Sequence, residues 1–256
     1  MLISGNYLLV TQGPRENQFR PSVDPLFRSA AASYGSSVIG VVLTGMLHDG
    51  TVGMDAIKRS GGIAVVQEPE DAEFPNMPLS VISNVPVDHR VSIAELGSLL
   101  VSLVNKPVRS DHKIPEDIKL EAKIAERVMG TTAEVEKLGK KVDFTCPDCG
   151  GNLWEMKHGS VLRYRCHLGH AFSADSLLKD MNEAMEETLW IALRMMEERK
   201  NLLSTMLERE EKVAPNSWIA SQRERVEEIK VHINRIREVL MGNQNPEEPA
   251  EIQKVG

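Results

Sequence analysis

Two short apolar runs separated by a helical pattern constrain the fold of this chain more than any other feature. The runs are residues 38–43, VIGVVL, and residues 63–66, IAVV, and neither contains a polar side chain. A strand that is covered on both faces has this uninterrupted apolar pattern. The residues between the runs include a helical pattern over 52–59, which Gly61 and Gly62 close. The order strand, helix, strand predicts a parallel sheet.

The α/β pattern extends over residues 1–104. We expect a short strand at 7–11, a helix that begins after Ser22 and ends at Gly35, a short helix near 78–83 and an amphipathic helix at 92–104. Strands that alternate with helices through short connections are typical of wound α/β folds. The predicted fold class of this region is α/β, with a partial doubly wound parallel sheet.

The rest of the chain predicts further regions of a different kind. Residues 105–143 indicate a linker and a helix, and residues 144–172 indicate a small Cys/His segment of the zinc-ribbon type. Residues 173–241 have the pattern of a long αα-hairpin. Residues 242–256 are polar and rich in Pro and Glu, which predicts a disordered tail.

Composition and charge argue against several classes of protein. The formal net charge is −7, so the chain has no global basic field for nucleic acid. A small basic patch is all that Lys157, His158, Arg163 and Arg165 provide. The apolar runs are far shorter than the roughly 20 residues needed to span a bilayer, so we expect no membrane insertion. The N-terminus has no signal-peptide pattern, which places the protein in the cytoplasm.

The three cysteines favour a metal site over a disulfide framework. An odd number of cysteines fits disulfides poorly, whereas Cys146-x-x-Cys149-Gly is typical of a zinc knuckle. Cys166 supplies a third thiolate, and either His167 or His170 supplies the fourth ligand. We favour His170, because the three-residue gap between Cys166 and His170 suits a loop that wraps one ion, whereas His167 would have to fold straight back. Four protein ligands leave no open position, so the Zn²⁺ would be structural, and no organic cofactor is indicated.

The long helical region carries methionines at helical spacing. Met181, Met185, Met196 and Met206 would pack inside a hairpin in the usual arrangement. An exposed stripe would instead indicate self-association or a partner helix. The sequence leaves both interpretations open.

A single carboxylate, Asp49, lies in the glycine-rich loop after the first apolar run. Because ligands and chemistry gather outside the carboxyl ends of strands in open α/β sheets, this position favours a functional role. A carboxylate here can orient a histidine, bind a metal, close a turn or cap a helix. Asp-Gly before a helix is most often a cap or a turn, so the residue types alone favour that structural role.

Longer motifs around Asp49 resemble a known family. In order and spacing, FRPSVDPLFRSAAASYG, VIGVVLTGMLHDGTVGMDAIKRSGGIAVVQEPEDAEFPNMP and VISNVPVDH resemble the C-terminal half of the CheB-type chemotaxis methylesterase domain. The resemblance covers residues 7–104. It implies hydrolysis of glutamyl methyl esters on a methylated chemoreceptor, or action on another signalling protein, by a Ser-His-Asp mechanism.

The resemblance also implies roles for four residues. Asp49 falls on the catalytic aspartate that fixes the tautomer of the histidine. Met46 falls on the position whose backbone N–H helps to hold the oxyanion. Arg20 and Ser22 match a segment that lines the cleft.

The chain departs from the family pattern because no residue fits the catalytic serine or histidine. The catalytic serine needs a strand–serine–helix turn. None of the candidate serines lies in such a turn: Ser4, Ser22, Ser36, Ser37 and Ser60. None of the candidate histidines fits the catalytic histidine: His48, His89 and His112. We therefore expect a truncated or inactive form of the enzyme. The alternative is a non-catalytic signalling protein that acts through its zinc-ribbon segment and helical hairpin.

Overall fold

The computed structural model describes residues 1–108, 112–211 and 214–242. The chain divides into two compact units, Met1–Asp180 and Met181–Gly256. Of the tail predicted over 242–256, all but residue 242 lies outside the described residues. Within the described part of the chain, no helix is both long enough and apolar enough to cross a membrane.

The predicted parallel sheet is confirmed. Its strands are β3 (Ile39–Val42), β4 (Ile63–Gln67) and β5 (His89–Val91), and they pair in that order, each parallel to the next. Helices α2 (Thr51–Arg59), α3 (Asn76–Asn84) and α4 (Ile93–Val104) follow the strands in turn. The core of this region consists of apolar side chains of β3, α2, β4 and α3, including Val42, Met54, Ile57, Val66 and Val81.

The N-terminal strand differs from the expectation. Strand β2 (Tyr7–Leu9) pairs antiparallel with β1 (Leu2–Ser4) in a separate hairpin and does not join the parallel sheet. Gly5 at the turn has φ of 53°, a conformation that glycine adopts without strain, so the hairpin closes locally. Among the described residues the strand order β3-β4-β5 does not reverse, so the switch point of a doubly wound sheet is not among them.

Residues 116–173 add two helices and a second sheet to the first unit. Helix α5 (Glu116–Glu126) packs against α1 (Val23–Tyr34), and α6 (Thr132–Leu138) begins with a capping box formed by Thr131 and Glu134. The sheet is antiparallel, in the order β6 (Gly139–Thr145), β7 (Asn152–Met156), β8 (Arg163–Cys166) and β9 (Ala171–Ser173). The Cys/His segment is therefore part of a four-stranded sheet that starts before residue 144.

A buried ionic cluster joins this second sheet to the α/β region. Glu121 of α5 accepts two hydrogen bonds from Arg163, at 2.8 and 2.5 Å, and lies 3.4 Å from Nε of Arg28. Glu16 accepts a 2.6 Å bond from Arg28, and Arg165 lies 3.7 Å from each carboxylate. All five side chains are buried. Arg163 and Arg165 are therefore absent from the surface where the sequence placed them in a small basic patch.

The second unit contains most of a long helical pair. Helix α7 (Ala174–Glu210) begins in the first unit, and α8 (Asn216–Gly242) follows in the second. Buried Leu193, Ile229, Ile233 and Leu240 form their core, with Met196 packed against it. Met181, Met185 and Met206 are exposed, so the methionines do not share one role.

Candidate functional site

Asp49 lies in the loop that connects β3 to α2, at the carboxyl end of the sheet. Its side chain is buried, with 7% of its surface exposed. The carboxylate accepts bonds from the Ser22 hydroxyl at 2.7 Å, the Val23 amide at 2.8 Å and the Asp24 amide at 3.2 Å. All three donors belong to the start of α1, which is 25 to 27 residues away in sequence.

This arrangement is a helix cap contributed from a distant loop. The first amides of a helix lack intrahelical partners, and a carboxylate satisfies them and favours the positive end of the helix dipole. Ser22 has the extended backbone of an N-cap residue, as expected, but its hydroxyl makes no cap bond and donates to Asp49 instead. The contacts of Asp49 display capping of α1, whereas α2, the helix that directly follows Asp49-Gly50, has no side-chain cap bond. The role of orienting a histidine stays a prediction.

A second buried carboxylate, Asp24, lies beside Asp49. It accepts bonds from the Gly53 amide at 2.7 Å and from Nδ2 of Asn17 at 2.9 Å. Burial, followed by the charge of Asp49, raises the pKa of Asp24 to about 7. Sequence analysis missed this residue because Asp in the first turn of a helix is the ordinary pattern.

The structure brings together two of the three residues predicted around Asp49. Arg20 and Ser22 both line a cleft of about 630 Å³, whose other walls come from residues 10–14 and from α5. Met46 does not line this cleft, and its side chain is exposed. Ser22 links the cleft to Asp49, since its hydroxyl donates to the buried carboxylate.

No histidine bonds to Asp49 among the residues that the structure describes. His48 is exposed and lines a separate pocket of about 350 Å³ beside α3. His89 begins β5. That the chain lacks the catalytic serine and histidine stays a prediction from the sequence.

The four predicted metal ligands meet in one cluster. The ligand atoms of Cys146, Cys149, Cys166 and His170 all lie within 4.8 Å of one another. The Sγ atoms of Cys149 and Cys166 are 3.8 Å apart, and Nδ1 of His170 lies 3.5 Å from Cys166 and 3.7 Å from Cys146. Ligands placed tetrahedrally around zinc are about 3.8 Å apart for two sulfurs and about 3.6 Å apart for sulfur and nitrogen. The spacing of the donor atoms fits the ion.

Two tight turns build this cluster. In the first, the Gly150 amide bonds to the Cys146 carbonyl at 2.8 Å, and in the second the Gly169 amide bonds to the Cys166 carbonyl at 3.1 Å. Both glycines have positive φ, 69° and 102°, which only glycine adopts readily. The sequence predicted the first turn. The second was missed; its glycine follows Cys166 by three positions, whereas Gly150 follows Cys146 by four.

The geometry selects between the two histidines. His170 lies in the cluster, whereas the His167 ring lies beside Gly151 and outside it. Nε2 of His170 is 3.7 Å from Asp148, so the ring is flanked by a carboxylate on its far side. Hydrogen bonding from Cys146, together with His170, lowers the pKa of Cys166 to about 3 although burial acts in the opposite direction. A thiolate and a neighbouring imidazole nitrogen can both be ligands of one zinc ion.

Comparison with known proteins gives relatives for the first hundred residues. The sequence profile of the family described as CheB methylesterase matches residues 1–100. A Leptospira interrogans protein, provisionally named protein-glutamate methylesterase/protein-glutamine glutaminase, is 44% identical over 91 residues, which are 36% of this chain and 47% of that protein. A protein of the same name from Borreliella burgdorferi is 40% identical over 95 residues, 37% of this chain and 25% of that protein.

One solved structure is also similar to part of the chain. The crystal structure of the Thermotoga maritima CheB methylesterase catalytic domain is similar at 36% identity over 34% of this chain and 47% of that chain, with a TM-score of 0.34. The chain spans about half the length, or less, of the relatives it matches. Residues 101–256, with the Cys/His cluster, lie outside the family match. Residues 1–100 of the chain thus match the family described as CheB methylesterase, and they are similar to these two relatives.

Proposed function

We propose that residues 1–104 are the aspartate-bearing part of a protein-glutamate methylesterase that acts on methylated chemoreceptors in the cytoplasm. The proposal rests on Asp49: it follows a strand of the parallel sheet, within the family match, and it is held rigidly by three donors. The serine and the histidine come from polypeptide that these 256 residues do not include. Alone, this chain is inactive.

The contacts of Asp49 leave room for that histidine. An ionised carboxylate has about four acceptor positions, and Ser22, Val23 and Asp24 occupy three of them. Oδ1 takes two of these bonds and Oδ2 takes one, so Oδ2 keeps a position for an imidazole N–H. An aspartate fixed in this way would hold the imidazole in one tautomer and stabilise its charged form. The Met46 amide then holds the oxyanion, and the cleft at Arg20 and Ser22 binds the substrate.

Methanol release from a methylated receptor tests the proposal. Losing serine and histidine from a triad costs a factor of about 10⁶ in kcat, so the chain alone should release no measurable methanol. Adding the part of the Leptospira relative that lies outside the match should restore turnover. Asp49→Asn should abolish the restored activity, and Asp143→Asn, at an exposed strand position, should leave it unchanged. Robust turnover by the chain alone would refute the assignment.

The Cys/His cluster is proposed as a structural zinc site of the zinc-ribbon type. Its ligands are Cys146, Cys149, Cys166 and His170, whose donor spacing supports a tetrahedral ion. A fully ligated ion orients no substrate, so the role of this segment is to hold structure together. We further propose the domain limits 1–104, 105–143, 144–172, 173–241 and 242–256.

One observation favours a second function, that of a non-catalytic signalling protein. Helix α7 exposes large apolar side chains at helical spacing, including Ile191, Met195 and Leu202. A face of this kind supports self-association or a partner helix. Light scattering after size exclusion separates the two functions. A monomer whose mass is unchanged by Met195→Lys, and which binds no receptor-complex component, would count against the interaction role.

A further inference from the structure

The segment that lines the cleft, residues 13–22, is attached by backbone hydrogen bonds to the antiparallel sheet of β6 to β9. We call this sheet the Cys/His sheet. We call residues 13–22 the cleft segment. The amide of Asn17 donates to the Ala171 carbonyl at 2.8 Å, and the amide of Ala171 donates to the Arg15 carbonyl at 3.3 Å. Ala171 directly follows His170, one of the four cluster residues. The cleft segment therefore takes its position from the residue next to a metal ligand.

The turn that carries Cys166 and His170 also touches this segment. An added Cβ on Gly169 would lie 2.8 Å from Cγ of Pro14, so the ring of Pro14 packs closely against the backbone at Gly169. Gly169 is held in place by its bond to the Cys166 carbonyl, within the second tight turn. Any loosening of this turn removes the surface on which Pro14 packs.

Asn17 joins the Cys/His sheet to the acidic pair under the cleft. Its Oδ1 accepts bonds from the Ser173 amide at 2.7 Å and the Ser176 hydroxyl at 3.1 Å, at the start of α7. Its Nδ2 donates to Asp24 at 2.9 Å. Asp24 in turn donates its amide to Asp49 at 3.2 Å. Asn17 is buried, so water cannot readily replace these partners.

We propose that the Cys/His cluster, when it holds its metal ion, fixes the cleft segment, and that Asn17 is the positioning residue that extends this order to the Asp24–Asp49 pair. This deepens the proposed function and rests on it for the meaning of Asp49. Structural metal sites are unfolded or loose without their ion, and local opening spreads through the contacts that depend on it. Removing the ion therefore loosens Ala171, then Asn17, and then the Val23 and Asp24 amides that donate to Asp49.

Hydrogen exchange of the full chain, with zinc bound and after chelation, tests the proposal without any activity measurement. We expect chelation to speed exchange of the Asn17, Val23 and Asp24 amides by about tenfold or more, the scale of one lost hydrogen bond. The amides of β4, which lie in the other sheet, should keep their protection. If faster exchange stays within residues 139–173, or if the chain binds no zinc, the proposal is overturned.

Two matched substitutions in the zinc-loaded chain test the role of Asn17. Asn17 and Gln18 both have positive φ, 50° and 73°, so a change to glycine removes each side chain without straining the backbone. Asn17→Gly should speed exchange of the Val23 and Asp24 amides by about tenfold while zinc stays bound. Gln18→Gly should leave both amides unchanged, because the Gln18 side chain contacts Lys179 and Asp180 rather than Asp24.

Equal exchange in the two variants would overturn the role of Asn17. A failure of methanol release in the complementation assay would refute the methylesterase assignment and leave these exchange results intact. Should the Asn17→Gly chain not fold, the chelation measurement on the unsubstituted chain still decides the proposal.

Discussion

The Asp49 site and the Cys/His cluster, which both lie in the first unit, differ in how far the chain itself satisfies their polar groups. The Asp49 carboxylate meets three protein donors, and each bond has ordinary length. The cysteines and the histidine of the other cluster meet mainly one another, at separations of 3.5 to 3.8 Å that suit a shared ion better than direct hydrogen bonds. The Asp49 carboxylate has its hydrogen-bond partners within the chain, whereas the donor spacing of the Cys/His cluster suits a bound ion.

This difference teaches how function can be read from each cluster. Asp49 does a structural task that needs nothing further, so its contacts alone do not reveal a catalytic role, which is argued from the family. The Cys/His cluster has the donor atoms and the spacing of a metal site, so its proposed chemistry is argued from its own geometry. Substitutions that act on one cluster and spare the other can break or sharpen this contrast.

The largest effect should come from removing a metal ligand. Structural zinc binds small domains with about 10–16 kcal/mol, so His170→Ala should unfold the Cys/His sheet at ordinary temperature. His167→Ala is the matched control, because this neighbouring ring lies outside the cluster. Circular dichroism and limited proteolysis measure the outcome. Equal stability of the two variants would mean that His170 is no ligand.

Glu121→Gln should have the next largest effect. Glu121 is the buried partner of Arg163 and Arg28, and removing one charge of a buried network typically costs about 3–5 kcal/mol. Burial by itself raises the pKa of Glu121, but the attraction of the arginines outweighs it and holds the pKa well below its usual range.

Urea unfolding gives the free energy for this variant. Glu116→Gln is the control, since its ion pair with Lys119 is exposed to solvent and should contribute little to stability. A Glu121→Gln chain as stable as this control would show that the ionic cluster does not stabilise the contact between the Cys/His sheet and the α/β region.

Asp24 should make the first unit less stable as the pH rises. The pKa of Asp24 in the folded chain, about 7, lies above its usual value of 3.8, so between these values the folded state keeps a proton that the unfolded state has lost. The free energy of unfolding therefore falls as the pH rises through this window, by about 2 kcal/mol between pH 5 and pH 7. Asp24→Asn should flatten this dependence, and Asp143→Asn should not. A wild-type profile that rises steadily over the window would contradict the expectation.

Asp49→Asn should cost least, about 1 kcal/mol, the usual value of a lost helix cap. The variant keeps one acceptor oxygen but places an amide N–H₂ against the donors of α1. The loss of stability is measured by comparing the urea unfolding midpoint of Asp49→Asn with that of the control, Asp143→Asn. A small loss of stability together with complete loss of complemented activity is the combination that separates a catalytic aspartate from a capping one.

Local sequence patterns predicted the elements whose determinants lie close together in the chain. Strands β3 and β4 followed from the two apolar runs, and the first tight turn followed from Cys146-x-x-Cys149-Gly. The capping box of α6 was also visible as Thr131-x-x-Glu134, although it was not used.

Features that depend on distant residues were not predicted. The pairing of Asp49 with α1 spans 25 to 27 residues, and the partners of Arg163 and Arg165 lie between 42 and more than a hundred positions away. Nothing near an arginine in the sequence tells whether a remote carboxylate will bury it. The hairpin of β1 and β2 was missed because a three-residue strand carries too little pattern to show its partner.

Counting metal ions in the purified chain tests the central contrast most directly. Elemental analysis by mass spectrometry, with the His167→Ala and His170→Ala chains prepared in parallel, needs neither a substrate nor a partner. The account predicts one zinc per chain in the wild type and in His167→Ala, and a clear loss in His170→Ala. Wild-type chain that folds fully without zinc would contradict it, because the Cys/His cluster would then be as self-sufficient as the Asp49 cap.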